Sequence, residues 1–264
     1  MLSKINGTPP NELIVDLYLS THCNFKCHYC YLDHFDIPKC TMTKYGIDTV
    51  MTSLAVAKHP VNLCILGGEP TIAHMFDYTV NLSRSIKNIK TIRVFTNGSR
   101  RLKEIDGVTY IVSIHPDFFK DSYIKNFKDI FNKQVKVMFD PRNLKNVKLI
   151  IDVLTKNGIQ IVADYIHYGN KFDLGPKIHT SEDALLYNFN GSKVSLRSIM
   201  EDDLWDARNF RCFQNEISIA PNMEIQRFCS PYKTYDPSFL AKFKIKLTPC
   251  QFKKKCMCFE QVKI

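Results

Sequence analysis

Strand-like and helix-like segments alternate along the first two thirds of this 264-residue chain. Short apolar or alternating runs predict strands at residues 12–20, 61–66, 91–96, 109–115, 134–140 and 159–167. Helical spacing between them predicts helices at residues 43–58, 72–86, 118–131 and 146–157, the last ending at Gly158. Such repetition favours an α/β fold with a parallel sheet. Six units are fewer than the eight of a closed barrel. The pattern is therefore compatible with two architectures, an open partial barrel and a doubly wound sheet.

The pattern changes after about residue 168. We therefore expect a core domain at residues 1–168 and a C-terminal extension at residues 169–264. Two stretches of the extension have spacing compatible with helices: residues 182–188 and 194–206. Two short runs around Pro221-Asn222 predict the strands of a β-hairpin: residues 216–220 and 224–228.

Three cysteines lie in the loop that follows the first predicted strand. Residues 21–32 read THCNFKCHYCYL and contain Cys23, Cys27 and Cys30. The carboxyl ends of strands are where parallel α/β folds bind their ligands. Thiolates ligate iron–sulfur clusters, and three ligands on a four-iron cluster would leave one iron open. Zinc is the alternative, with a fourth ligand from one of three nearby histidines: His22, His28 or His34.

The spacing Cys-x3-Cys-x2-Cys, with Tyr29 directly before the last cysteine, resembles the signature of the radical S-adenosylmethionine (SAM) superfamily. Gly67-Gly68-Glu69-Pro70 ends the second predicted strand, where that superfamily has a Gly-Gly-Glu motif. The resemblance implies a partial (β/α)6 barrel over residues 12–167, which binds SAM and a [4Fe-4S] cluster on the three cysteines. It also implies that Gly67, Gly68 and Glu69 contact the methionine amino group and that Tyr29 belongs to the cofactor site. Taken alone, the glycine pair indicates only a tight strand-to-helix turn.

Two further strand ends resemble the same family. Thr96-Asn97-Gly98 matches its common third-strand ending, which makes Asn97 a cofactor-binding candidate. Ser113-Ile114-His115 lies where many members have Ser-x-Asp. The resemblance implies that Ser113 approaches the SAM carboxylate or ribose, while His115 replaces the usual aspartate. Ordinary polarity at a strand end explains these residues equally well.

Five more cysteines lie near the C-terminus: Cys212, Cys229, Cys250, Cys256 and Cys258. The first two flank the predicted hairpin, as in the auxiliary-cluster extensions known as SPASM or twitch, which this region resembles. The usual glycine after the first cysteine and the usual Cys-x2-Cys are both missing. The resemblance implies one auxiliary [4Fe-4S] cluster held by four of the five thiols, and structural zinc is the alternative. Cys64 lies in an apolar strand and is predicted to be a core residue.

The resemblance implies a radical SAM enzyme that reductively cleaves SAM to a 5′-deoxyadenosyl radical, which abstracts hydrogen from a substrate. Polar residues at strand ends are the candidates for catalysis: His115, Asp140 and Tyr165, with Asp117 and His167 beside them. A net charge of +10 and a lysine-rich end place a nucleobase, nucleotide or DNA substrate slightly ahead of a peptide or amino acid. The compact, Lys/Asn-rich chain also resembles tailoring enzymes for modified bases in phage DNA. A non-catalytic zinc or iron–sulfur module that binds nucleic acid is a hypothesis of another class.

The start of the chain has no apolar signal segment, and no stretch reaches the length of a membrane span. We therefore expect a cytoplasmic protein without membrane contact. In a reducing compartment, ten cysteines point to metal binding or redox chemistry rather than to disulfides. The expected partners are SAM and an electron donor such as flavodoxin or ferredoxin.

Overall fold

The structure is a computed structural model that describes most of the chain. The described residues are 11–30, 32, 39–139, 143–165, 186–189, 192–195, 205–206, 210–227, 232–249, 255–256 and 261–263. The chain forms two compact units. The first contains Met1–Cys23, Ile37–Val94 and Trp205–Ile264, and the second contains Asn24–Asp36 and Phe95–Leu204.

The first unit begins with alternating strands and helices. In chain order these are β1 (Leu13–Ser20), α1 (Lys44–Ala55), β2 (Val61–Gly67), α2 (Phe76–Ser85) and β3 (Ile89–Thr96). β2 pairs in parallel with β1 on one side and with β3 on the other. The predicted strands and their parallel pairing are confirmed here. α2 begins later than predicted because Pro70–Ile72 form a 3-10 turn.

Period-two alternation explains why β1 is a strand with one buried face. Leu13, Val15, Leu17 and Leu19 have no exposed surface, whereas the residues between them are partly exposed. Burying each such side chain contributes about 1.5–3 kcal/mol relative to leaving it in water. The same alternation places Asp16 and Cys64 side by side on β1 and β2. Cys64 is buried, which confirms the prediction of a core residue. Burial, with the neighbouring Asp16 carboxylate, raises the pKa of its thiol.

Both ends of α1 are tied by side chains. Thr43 is the N-cap, and its Oγ1 accepts a hydrogen bond from Gly46 N at 3.1 Å. At the other end, Asn88 Nδ2 donates to the carbonyl oxygens of Leu54, Ala57 and His59 at 2.9, 3.1 and 3.2 Å. An N-cap of this type stabilises a helix by about 1 kcal/mol. These contacts fix where the chain leaves α1 and enters β2.

The second unit repeats the strand–helix pattern. Its elements are β4 (Val108–Ile114), α3 (Ile124–Phe127), β5 (Lys133–Phe139), α4 (Leu144–Lys156), β6 (Ile161–Tyr165), β7 (Leu186–Phe189) and β8 (Ser192–Ser195). β5 pairs in parallel with β4 and with β6. α4 ends as predicted before Gly158, which has a φ of +69°. Such a left-handed residue after a helix is most readily a glycine.

The helix predicted at residues 118–131 is mostly wrong. The structure has only a 3-10 turn, Asp121–Tyr123, followed by the single helical turn of α3. One reason is that backbone groups after α3 have partners outside a helix. Phe131 N, for example, donates to the Glu104 carboxylate at 2.8 Å.

After residue 204, the described residues include eight short strands and one helix. They are β9 (Trp205–Asp206), β10 (Phe210–Gln214), β11 (Glu216–Ile219), β12 (Ile225–Arg227), β13 (Lys233–Thr234), β14 (Lys246–Pro249), β15 (Lys255–Cys256) and β16 (Gln261–Lys263), with α5 (Ser238–Lys242) before β14. The predicted hairpin is confirmed, since β11 and β12 pair antiparallel. β11 also pairs in parallel with β1, so the hairpin extends the sheet of the first unit. The domain boundary expected near residue 168 stays a prediction.

The helices predicted at residues 182–188 and 194–206 are wrong wherever the structure describes them. β7 and β8 form an antiparallel pair, and β9 pairs with β15. The sequence between β7 and β8 is Asn190-Gly191, a pair that favours two-residue hairpin turns. This signal outweighs the helical spacing. Within the described part of the chain, no helix is both long and apolar enough to cross a membrane.

Candidate active site at the cysteine loop

The loop that carries the three cysteines is anchored where it leaves β1. Thr21 N donates to Cys40 O at 2.9 Å, and Cys40 N donates back to Thr21 Oγ1 at 2.8 Å. Beside them, the hydroxyls of Ser20 and Thr41 lie 2.9 Å apart, and these two residues form an isolated antiparallel bridge. These hydrogen bonds join the two ends of the segment between residues 20 and 41.

The glycine pair at the end of β2 lies directly against the start of this loop. Gly68 N donates to Ser20 O at 2.7 Å, and Glu69 N donates to His22 O at 2.9 Å. A Cβ on Gly67 would lie 2.2 Å from Ser20 O, and a Cβ on Gly68 would lie 2.2 Å from His22 O. Gly67 also has a φ of +140°, which residues with a Cβ rarely adopt. Both positions therefore require glycine, because the main chain of the turn is in direct contact with the main chain of the loop.

Glu69 is fully buried beside this contact. Its Oε1 accepts hydrogen bonds from Thr71 N at 3.1 Å and from Thr71 Oγ1 at 2.6 Å, and so caps the 3-10 turn. These hydrogen bonds hold the carboxyl group in one orientation. The structure thus gives Glu69 a structural role, whereas its predicted contact with SAM stays a prediction.

Aromatic packing organises the rest of the loop, in the second unit. Phe25 stacks on Phe118, with ring centroids 4.8 Å apart and an interplanar angle of 14°. Cys27 and Tyr29 are buried together, with Phe25, Phe118 and Met138 packed around them. The ring of Tyr29 also stacks on His115 at 5.8 Å. The middle of the loop therefore lies in an apolar environment against the end of β4.

His115 follows β4 directly and contacts two residues of the loop. Its Nδ1 lies 2.9 Å from Tyr29 Oη and 3.6 Å from Cys27 Sγ. Burial lowers the pKa of His115 to about 4, against the weaker opposing effect of the Asp117 carboxylate. The imidazole is therefore neutral at physiological pH, with one nitrogen that donates and one that accepts.

Polar contacts flank this aromatic group on both sides. Asn97 Nδ2 donates to Asn24 Oδ1, and Asn24 Nδ2 donates to Ser99 Oγ, both at 2.9 Å. On the other side, His28 Nδ1 lies 3.3 Å from a carboxylate oxygen of Asp117. Asn97 and Asp117 are thus occupied in positioning the loop. A direct contact of Asn97 with SAM stays a prediction.

The three cysteines of the loop differ in exposure. Cys23 is exposed, Cys27 is buried and Cys30 is intermediate, and none of them forms a disulfide. Cys30 N donates to Cys27 O at 3.0 Å, which turns the chain between these two thiols. Among the residues that the structure describes, no group of three or more His, Cys, Asp or Glu side chains could hold a metal ion. The donor chemistry nevertheless fits an iron–sulfur cluster, because three reduced thiols share one short loop.

The other predicted site residues are less informative. Ser113 is partly buried in β4, opposite Lys136 of β5. Tyr165 ends β6, and Asp140 and His167 lie outside the described residues. Of the five C-terminal cysteines, Cys212 lies in β10 and Cys256 in β15, whereas three lie outside the described residues: Cys229, Cys250 and Cys258. The predicted auxiliary ligand set stays a prediction.

Sequence reasoning missed three residues that shape the loop: Thr21, Asn24 and Phe25. The sequence does indicate a packing role for Phe25, since a large apolar side chain between two cysteines of a polar loop needs a partner to pack on. It gives no such indication for Thr21 and Asn24, because small polar residues are common in any loop.

A sequence model of the radical SAM superfamily matches residues 17–174. Solved structures resemble the chain at low identity. Streptococcus suis SuiB bound to S-adenosylmethionine has 16% identity and a TM-score of 0.53, with 81% of this chain and 59% of SuiB covered. SuiB bound to its precursor peptide SuiA has 17% identity and a TM-score of 0.53, with 96% and 65% covered. Native anSMEcpe with bound AdoMet and a Kp18Cys peptide has 14% identity and a TM-score of 0.52, with 82% and 74% covered.

No curated protein matches the chain. The chain spans 59% of SuiB in one structure and 65% in the other. The similarity confirms the predicted fold class, an α/β fold of the partial-barrel type. Because the family match extends from β1 past β6 and covers more than half of the sequence, the chain belongs to the radical SAM superfamily.

Proposed function

We propose that this chain is a radical SAM enzyme, which reductively cleaves SAM and uses the resulting 5′-deoxyadenosyl radical to take hydrogen from a substrate. The observation that carries the proposal is the contact between the Gly67-Gly68 turn and the start of the cysteine loop. Two glycines are required there because a Cβ on either would lie 2.2 Å from a carbonyl oxygen of the loop. A motif that holds a buried carboxylate at the start of the cysteine loop suits a cofactor with both an iron–sulfur and an amino-acid part.

The thiolates of Cys23, Cys27 and Cys30 would hold the cluster. A four-iron cluster held by these three thiolates would leave one iron available to SAM and would supply the electron for its reductive cleavage. The chain's own contribution is to position the thiols and to fix the carboxylate of Glu69. Thr71 holds that carboxylate through two hydrogen bonds. A fixed carboxylate can accept hydrogen bonds from an ammonium group without reorganising.

Exclusion of water is the second contribution of the chain. Cys27 and Tyr29 are buried against Phe25, Phe118 and Met138. A dry environment protects a reactive radical from side reactions and strengthens polar contacts with the bound substrate. His115 Nδ1 faces Tyr29 and Cys27, and the catalytic role of His115 in contact with the substrate stays a prediction.

For the substrate, we place a peptide first. Two of the similar structures, SuiB with SuiA and anSMEcpe with its Kp18Cys peptide, contain peptides. A nucleotide or nucleic acid is the second candidate, and the net charge of +10 favours it. An auxiliary cluster on four of the five C-terminal cysteines and an electron donor such as flavodoxin or ferredoxin complete the proposal.

The test is SAM cleavage by protein purified anaerobically and reconstituted with iron and sulfide. Reduction in the presence of SAM is expected to release 5′-deoxyadenosine, measured by liquid chromatography and mass spectrometry. Glu69→Gln is the matched variant, expected to keep the cluster but to bind SAM more weakly. Zinc in the purified protein, or no 5′-deoxyadenosine with several reductants, would instead favour the non-catalytic binding module.

The substrate class is tested in the same assay with deuterated substrates. Deuterium is expected to enter 5′-deoxyadenosine from a deuterated peptide pool. Transfer from deuterated DNA or nucleotides alone would reverse the order of the two candidates.

A further inference from the structure

One partly buried contact of the cysteine loop has no role in the proposal above. His115 Nδ1 lies 3.6 Å from Cys27 Sγ, a hydrogen-bond distance for sulfur, and 2.9 Å from Tyr29 Oη. Two aromatic rings also pack against the imidazole. Tyr29 stacks on it with an interplanar angle of 19°, and Phe25 packs edge-on at 6.2 Å. This packing restricts the orientation of the nitrogen that faces the thiol.

The chemistry of the two neighbours determines which atom donates. A thiolate has no proton and can only accept, so a hydrogen bond to Cys27 requires the proton on Nδ1. The Tyr29 hydroxyl can donate or accept, and it therefore adapts to either tautomer. When Cys27 is an anionic ligand, the Nδ1–H form gains a charge-assisted hydrogen bond that the other tautomer lacks.

We propose that His115 is a positioning residue that donates a hydrogen bond from Nδ1–H to the thiolate of Cys27. This hydrogen bond raises the reduction potential of the SAM cluster. The inference rests on the proposed function. The hydrogen bond withdraws negative charge from the ligand sulfur. The reduced cluster carries one more electron than the oxidised cluster, so the bond stabilises the reduced form more. No proton is transferred, and the electron comes from the external donor.

Tyr29 competes for the same proton. Its hydroxyl lies closer to Nδ1 than the sulfur does, so part of the N–H donor strength is directed away from Cys27. This competition predicts opposite effects for two substitutions. Removing the imidazole should lower the cluster potential, whereas removing only the Tyr29 hydroxyl should raise it.

The experiment is a redox titration of reconstituted full-length protein, followed by electron paramagnetic resonance without SAM. The SAM cluster is identified by the change in its signal when SAM is added. His115→Leu removes the donor at similar volume, and His115→Asn keeps an amide N–H near the position of Nδ1. Tyr29→Phe keeps the ring but loses the hydroxyl. Loss of such a partner to a metal ligand typically costs about 10- to 100-fold in metal affinity or activity, and we take the lower end for the reduction equilibrium.

For His115→Leu we expect about a tenfold smaller equilibrium constant for reduction, which for one electron corresponds to about 59 mV. His115→Asn should recover most of this loss, and Tyr29→Phe should shift the potential upward. If His115→Leu holds a normal amount of iron at the wild-type potential, the inference is wrong although the proposed function stands. If His115→Leu does not fold, equal potentials in wild type, His115→Asn and Tyr29→Phe overturn it. If the wild type incorporates no cluster that responds to SAM, the proposed function itself fails.

Discussion

The two halves of the cysteine loop are held in different ways. Ser20–Cys23 is held mainly by main-chain hydrogen bonds to the glycine turn after β2 and to Cys40, with the hydroxyls of Ser20 and Thr21 as additional partners. Asn24–Cys30 is held by side chains, through rings stacked on Phe118 and His115. The first half thus depends on the absence of Cβ atoms opposite it, and the second on the shape of its own side chains. The two halves should therefore respond to different substitutions.

The difference has a consequence for how a cofactor loop can vary. Contacts between main chains place few demands on the loop's own side chains, and this leaves His22 open to substitution where its carbonyl meets Gly68. Thr21 is different, because its hydroxyl also binds the main chain of Cys40. Packing of aromatic side chains allows small main-chain shifts but needs large rings. The chain thus fixes one thiol, Cys23, next to a rigid main-chain contact and places Cys27 in an adaptable apolar surrounding.

The largest effect should follow from removing the thiols of both halves together. We expect the triple variant Cys23→Ala, Cys27→Ala, Cys30→Ala to lose SAM cleavage completely, because no ligands remain for the SAM cluster. Iron should fall by about one four-iron cluster, if the C-terminal cysteines hold their own. The measurements are iron and sulfide content and 5′-deoxyadenosine release.

Cys40→Ala is the matched control, because Cys40 contacts the loop through its main-chain N and O atoms, which this substitution keeps. It should retain both iron and activity. Loss of all iron in the triple variant, or of none, would contradict the two-cluster proposal.

A smaller effect should follow from adding a Cβ to the contact that holds the first half. Gly67→Ala combines a φ of +140° with a Cβ 2.2 Å from Ser20 O, and neither main chain can move without losing hydrogen bonds. We expect the free energy of unfolding to fall by about 3 kcal/mol, since overpacking costs about 1–3 kcal/mol and left-handed strain about 1–2 kcal/mol. Urea denaturation measures this loss.

Gly107→Ala separates the two causes. Gly107 has a φ of +78°, but nothing lies within 4 Å of an added Cβ. The expected loss is therefore the strain alone, about 1 kcal/mol. Equal losses in the two variants would show that the close main-chain contact does not hold the first half.

The main-chain half of the site could be predicted from sequence to a useful degree. Period-two alternation predicts β1 and β2, and the position of Gly67-Gly68 after β2 predicts a tight turn there. The carboxyl ends of parallel strands meet at one edge of a sheet, and the turn and the loop each follow such an end. The hairpin of β11 and β12 was also predicted, but not its pairing with β1, because sequence periodicity carries no information on which strands pair.

The side-chain half could not be predicted in the same way. His115 and Cys27 are 88 residues apart, and their contact depends on how the loop folds over the end of β4. The motif predicted a role for Tyr29 but gave no indication that its hydroxyl reaches His115. The apolar spacing after Pro116 predicts a long helix, whereas Phe118 packs on Phe25 instead. Tertiary packing outweighed local periodicity there.

The smallest effect should come from reshaping the side-chain half without removing its apolar character. Phe25→Leu keeps the apolar surface but loses the ring that stacks on Phe118 at 4.8 Å. Stacked rings contribute about 0.5–1.5 kcal/mol beyond burial, so we expect a loss of about 1 kcal/mol in the free energy of unfolding. Phe131→Leu is the control and should change stability little, because the Phe131 side chain is 95% exposed. If Phe25→Leu were as damaging as Gly67→Ala, the second half would be as rigidly held as the first. A leucine side chain can re-pack against Phe118 and Tyr29, but an added Cβ at Gly67 has no alternative position, so the two losses should differ.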